Sequence, residues 1–139
     1  MFTTASSRSA SAYKRVSVDS SVEMASPHQL VNLLFEALNR HLGAAKLFMK
    51  SGDVAGKCKQ ISAAMRILEE GLIAPLDLDN GGALATNLKS LYDYCVRQLM
   101  MANVKNDPAL LDEIVRLIEP VANGWKQIGG QGPAYLKPV

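Results

Sequence analysis

Two cysteines, two histidines and one Gly-rich stretch are the residues of this chain best suited to chemistry. A thiol pair could supply a disulfide, a redox couple or half of a zinc site, but Cys58 and Cys95 form no CxxC and gather no ligands around them. Both are expected to be buried thiols. A carboxylate-bridged metal bundle needs Glu-x-x-His on each of two helices, and neither His28 nor His41 follows that pattern. His41 falls inside an apolar arc and reads as a boundary histidine with one polar partner. No Ser, Thr or Cys stands in a nucleophile elbow or beside a matched base. "DNGGALATN" has glycines, but no strand precedes it and no Lys stands at phosphate-loop spacing. It reads as a turn. No catalytic residue, metal or cofactor is therefore expected. The alternative is a small-molecule carrier or enzyme that uses the interior around His41, Cys58 and Cys95.

The elements that would position these groups are helical. At 139 residues, 48% hydrophobic and 20% charged, the chain is long enough for one compact core. A net charge of +2 with both signs interspersed gives no basic stripe, so nucleic acid is a poor partner. The first residues, "MFTTASSRSASAYKR", lack the apolar centre of a signal peptide, and no apolar run of about 18 residues occurs. These features predict a cytoplasmic protein without membrane insertion. Residues 1–12 read as a mobile arm and residues 129–139, rich in Gly and Pro, as a flexible tail. The intervening residues 13–128 form the expected domain.

Four helical segments follow from start, stop and spacing signals. "ASPHQL" supplies Ser26 as N-cap, Pro27 at the first helical position and Gln29 for a capping box. Asp53 caps a second helix with a seam of Val54, Cys58, Ile61, Met65, Leu68 and Leu72, which Pro75 ends. A third helix starts near Gly82 with the seam Leu84, Leu88, Leu91, Cys95, Leu99 and Ala102. Asp107 and Pro108 open a fourth, which carries Leu111, Ile114, Ile118, Val121, Trp125 and Ile128 and contains Pro120. Trp125 and Ile118 are expected to pack on the first and third helices. The fold class is an all-α antiparallel bundle of four principal helices.

Burying these seams leaves apolar residues over. On the third helix Tyr92, Val96 and Met100 share one shoulder, fringed by Lys89, Asp93 and Arg97. Tyr94 and Met101 share the other, which fits equally a central helix covered on two sides. On the second helix Ile67 lies off the seam with Ala63 and Ala74 roughly in line, a shallow patch beside larger side chains. Such a surface suits an amphipathic helix of a partner, with methionines able to repack around it.

Several motifs also carry a family resemblance. "AYKRVSVDSSVEMASPHQLVNLLFEAL", then "LDLDNGGALATNLKSLYDYCVRQLMMANVKNDPALLDEIVRLIEP", then "GW", resemble the flagellin-specific export chaperones of the FliS type in order and spacing. Phe35, Ala37 and Ala83 depart from residues common in that family. The resemblance implies a helical bundle with a short N-terminal segment packed on it. It further implies binding of flagellin's C-terminal region, prevention of premature filament polymerisation, and delivery to the flagellar type III export apparatus. Tyr13 matches a family position in a segment that can lie over part of the flagellin site. Whether the free protein forms a weak homodimer stays open.

Overall fold

The computed structural model describes residues 26–128. Tyr13, the 1–12 arm and the 129–139 tail lie outside them. Within the described residues there are four helices and no strand: α1 (Pro27–Ser51), α2 (Val54–Arg66), α3 (Gly82–Lys105) and α4 (Pro108–Ile128). A π-helical segment, Ile67–Ile73, continues α2.

Local chemistry sets the helix ends where the spacing placed them. Ser26 Oγ accepts from the Gln29 N–H at 3.1 Å while Gln29 Oε1 accepts from the Ser26 N–H at 2.8 Å, a complete capping box. Gly52 ends α1 in the left-handed region, φ 76°, which glycine enters without steric cost. Asp53 Oδ1 accepts from the Gly56 N–H at 2.9 Å and starts α2. Pro75 has no N–H, and its ring would crowd the carbonyl four residues back in a regular α-helix. The chain before it widens instead, and the Ala74 N–H reaches back five residues to the Glu69 carbonyl at 3.0 Å.

One core joins all four helices. Leu34, Leu38, Ile67, Leu68, Leu99, Leu111 and Ile114 are its largest fully buried side chains. Long-range bonds fix the antiparallel order: Lys46 of α1 meets Asp112 of α4 at 2.9 Å, and His28 of α1 meets Trp125 at the far end of α4. Lys57, almost fully buried, donates from Nζ to the Asn103 carbonyl at 3.1 Å and to Asn106 Oδ1 at 3.3 Å. A cation there meets the negative end of the α3 dipole and the carbonyls that a helix C-terminus leaves over. Lys57→Ala should cost about 1–3 kcal/mol, because those acceptors lose their donor where water enters poorly. Urea denaturation of that variant checks the value.

Two buried stripes differ from the expected seams. On α3 the buried residues are Ala85, Leu88, Tyr92, Cys95, Leu99 and Ala102. Their spacing alternates strictly between three and four, whereas the leucine-rich series drifts around the helix. Leu84 is accordingly 53% exposed, and Leu91 only borders the core. On α2 the buried face turns toward Ala64, Ile67 and Gly71, whose small members admit close packing, and away from Val54, which is exposed. Ile128 is likewise exposed at the end of α4.

Candidate partner-binding face

Tyr92 and Ile67, expected on a partner face, are 3% and 0% exposed in the free chain and pack with the core cluster. Tyr92 occupies a heptad position that apolarity alone assigns to Leu91. Ile67 follows the rotation of the α2 stripe.

The two shoulders of α3 have different fates. Tyr94 turns to α4, where its hydroxyl donates to both carboxylate oxygens of Glu113 at 3.0 Å, and Gln98 Nε2 donates to the same carboxylate at 2.9 Å. The Arg97 guanidinium lies 5.8 Å from the Tyr94 ring centroid. The hydrogen bond to Glu113, with desolvation second, holds the Tyr94 phenol above its usual value near 10. These bonds occupy the α3–α4 flank.

The other flank is more open. Cys58 Sγ of α2 donates to Asn103 Oδ1 of α3 at 3.6 Å, which pairs the two helices in register. Seven residues along each antiparallel partner, Met65 of α2 comes opposite Val96 of α3, and both are half-buried. Met100 is 46% exposed and Val104, one turn on, is 82% exposed. Lys89 and Asp93 form an ion pair of 2.6 Å at the edge of this strip. Val96, Met100 and Val104, with Met65 across the seam, therefore make a continuous apolar strip with a charged rim. Met65 and Val104 escaped the sequence reading. The first was consumed by the expected seam, and the second gave no signal beyond its spacing from Met100.

Ala63 does not join them. It lies three residues past Gln60, whose Oε1 accepts from His41 Nδ1 at 2.6 Å, so it borders α1 instead. Ala74 is half-buried at the end of the π-helical segment. The expected patch of Ala63, Ile67 and Ala74 is thus split between the α1 flank, the core and the helix end.

The chemically capable residues do not converge either. His41 bonds on the α1 flank of α2 and Cys58 on its α3 flank, while Cys95 sits in the core. Among the described residues no group of three His, Cys, Asp or Glu side chains could hold a metal, and no helix is long and apolar enough to cross a membrane. Burial, with a smaller contribution from Glu113, pushes the Cys95 thiol up to about 11. The unfolded chain then loses that proton first, near pH 9, so stability present at neutral pH should fall between about pH 9 and about pH 11. Cys95→Ala, compared with its own neutral-pH stability, should lose less over that window in urea titrations.

With this geometry in place, the comparisons with known proteins bear on it directly. The family profile described as "Flagellar protein FliS" matches residues 9–132. A flagellar secretion chaperone FliS of Salmonella typhimurium is 47% identical over 117 residues, covering 84% of this chain and 87% of that protein. Counterparts from Escherichia coli K12 and Vibrio cholerae are 39% and 38% identical, each covering 84% of this chain and 85% of theirs. A family profile that matches most of the chain, and sequence identity of up to 47% over 84% of its length, lead to one assignment: this chain belongs to the FliS family of flagellar secretion chaperones, which are not enzymes.

Proposed function

We propose that this chain binds the C-terminal region of flagellin in the cytosol, prevents its premature polymerisation and presents it to the flagellar type III export apparatus. Family membership supports the class of cargo. The single structural observation behind the reading is the exposed strip of Val96, Met100 and Val104 beside the Lys89–Asp93 pair. An amphipathic cargo helix laid along α3 buries that strip, and each large apolar side chain fully covered contributes about 1.5–3 kcal/mol. Ordering a disordered segment costs several kcal/mol, so one strip alone gives modest affinity and wrapping over more of the bundle is needed for tight binding. Half-buried Ala63 and Ala74 lie on the next flanks along such a wrap. Tyr13 enters this reading through the family resemblance alone.

No chemical step is involved. The chaperone replaces cargo–cargo contacts with its own and leaves the cargo able to unfold again for export. Mixing the full chain with a synthetic flagellin C-terminal peptide should give a one-to-one complex. Circular dichroism should show more helix than the sum of the parts, and calorimetry a negative heat-capacity change. Additive spectra and no heat of binding would defeat the proposal. A thermal shift with a metabolite or a metal ion instead would favour the carrier reading, which the scattered positions of His41, Cys58 and Cys95 disfavour.

A further inference from the structure

A second surface lies on the opposite side of the bundle, between α1 and α4. It is an open groove of about 340 Å³. Its ends are set by two ties between the helices: His28 Nε2 lies 2.7 Å from the Trp125 carbonyl, and Lys46 meets Asp112 at 2.9 Å. Phe35 and Ile118, both 6% exposed, form the floor together with half-buried Val115 and Ala122. The ties also fix the register of the walls. With His28 level with Trp125 and Lys46 level with Asp112 on antiparallel helices, Glu36 of α1 comes level with Glu119 of α4, and Asn32 comes level with Asn123 one turn away.

Two exposed carboxylates therefore stand on facing walls above an apolar floor, and among the described residues neither has an ion-pair or hydrogen-bond partner. Lys126, the one basic residue of the lining, stands about 10 Å along α4 from Glu119, too far to pair with it. Arg40 and Arg116 lie within one turn of the carboxylates but outside the lining, and among the described residues they pair with neither. The centre of the groove thus lacks cations of its own.

We infer that this groove docks an extended segment of another protein in which one apolar residue is flanked by two basic ones. Charge complementarity selects that occupant, because two facing carboxylates repel each other until cations come between them. Neighbouring side chains of an extended chain point to opposite sides. The apolar residue then goes down onto Phe35 and Ile118 while its basic neighbours turn to the rim and meet Glu36 and Glu119. The side-chain amides of Asn32, Asn39 and Asn123 both donate and accept, which matches the free N–H and C=O groups of extended backbone. A helix brings no such groups to them, and this sets the groove apart from the α3 strip, where a helix fits and the charged rim is already paired. From Val115 to Lys126 the lining runs about 16 Å at 1.5 Å per residue. Five extended residues cover about 17 Å. The inference is independent of the flagellin reading and uses a different face.

The test adds a capped pentapeptide, Ser-Arg-Leu-Arg-Ser, to the full chain and follows heteronuclear NMR spectra. The peptide should move the backbone signals of Phe35, Glu36, Ile118 and Glu119 and the side-chain amide signals of Asn32 and Asn123. Those of Lys57 and Asn103, on the other side of the bundle, should stay in place. Glu36→Gln combined with Glu119→Gln should weaken binding about tenfold, the effect of losing two charge-assisted pairs at a partly enclosed rim, with the urea midpoint unchanged because both residues are exposed and unpaired. Replacing the peptide's leucine by serine should weaken binding as well, and a saturating flagellin C-terminal peptide should leave the pentapeptide in place. Groove signals that do not move overturn the inference. So does affinity that survives the double glutamine variant or the loss of the leucine, and so does displacement by the flagellin peptide, which would make the groove part of the cargo surface.

Discussion

Trp125→Ala should lower the stability of the folded chain by about 3–5 kcal/mol, the largest effect expected from one truncation here. Trp125 is buried, and its ring stacks on His28 at 5.1 Å between centroids with 16° between planes. Its indole Nε1–H donates to the His28 carbonyl at 3.0 Å. His28 Nε2 lies 2.7 Å from the Trp125 carbonyl, and Asn32 Nδ2 lies 3.5 Å from His28 Nδ1. A proton on Nε2 satisfies both contacts, with Nδ1 accepting from the amide. One tryptophan thus ties the start of α1 to the end of α4, past the point where Pro120 has removed a helical hydrogen bond. Urea denaturation followed by circular dichroism measures the loss. A midpoint equal to that of the wild type would mean that the last turns of α4 are not held in this way.

The helices were legible in the sequence because their ends are written in local chemistry. Ser26 with Gln29, Asp53, Gly52 and Asp107 with Pro108 each satisfy or redirect specific backbone groups, and these constraints do not depend on what packs nearby. Fully buried Leu99 and Ile114 were legible for a different reason, being apolar and in phase with their neighbours. What stayed hidden was rotation. Between Leu91 and Tyr92 the sequence offers two adjacent apolar candidates for one heptad position, and only packing decides that Tyr92 faces inward. The burial of Ile67 was hidden for another reason: the π-helical segment starts at this residue and alters the turn on which a helical wheel depends. The α1–α4 groove gave no sequence signal, since its amides belong to segments distant in the chain. Lys57 was hidden likewise, because a lysine satisfied by another helix's carbonyl reads as surface until that helix is seen.

Val96→Asp should separate folding from binding. The residue is half-buried at the edge of the core, so the carboxylate can turn toward water beside Lys89 and Asp93, and most of the stability should remain. Affinity for a flagellin C-terminal peptide should nevertheless fall by about 2 kcal/mol or more, roughly thirtyfold, because a docked apolar helix would strand that charge away from water. Leu99→Asp provides the contrast, since Leu99 is fully buried and an unpaired charge there should unfold the bundle. A Val96→Asp chain that binds as the wild type does would remove the α3 strip from the interface. One that fails to fold would show that Val96 belongs to the core.

The most direct test of the account is a hydrogen-exchange footprint of the full chain with and without the flagellin C-terminal peptide at saturation. Binding along the strip should slow exchange in the second half of α3, around Val96 to Val104, and in α2 around Met65. The α1–α4 groove around Phe35 and Ile118 should exchange as it does in the free protein. Protection confined to that groove, or a complex that protects nothing on α3, would contradict the claim that the exposed apolar face of this bundle is where the cargo binds.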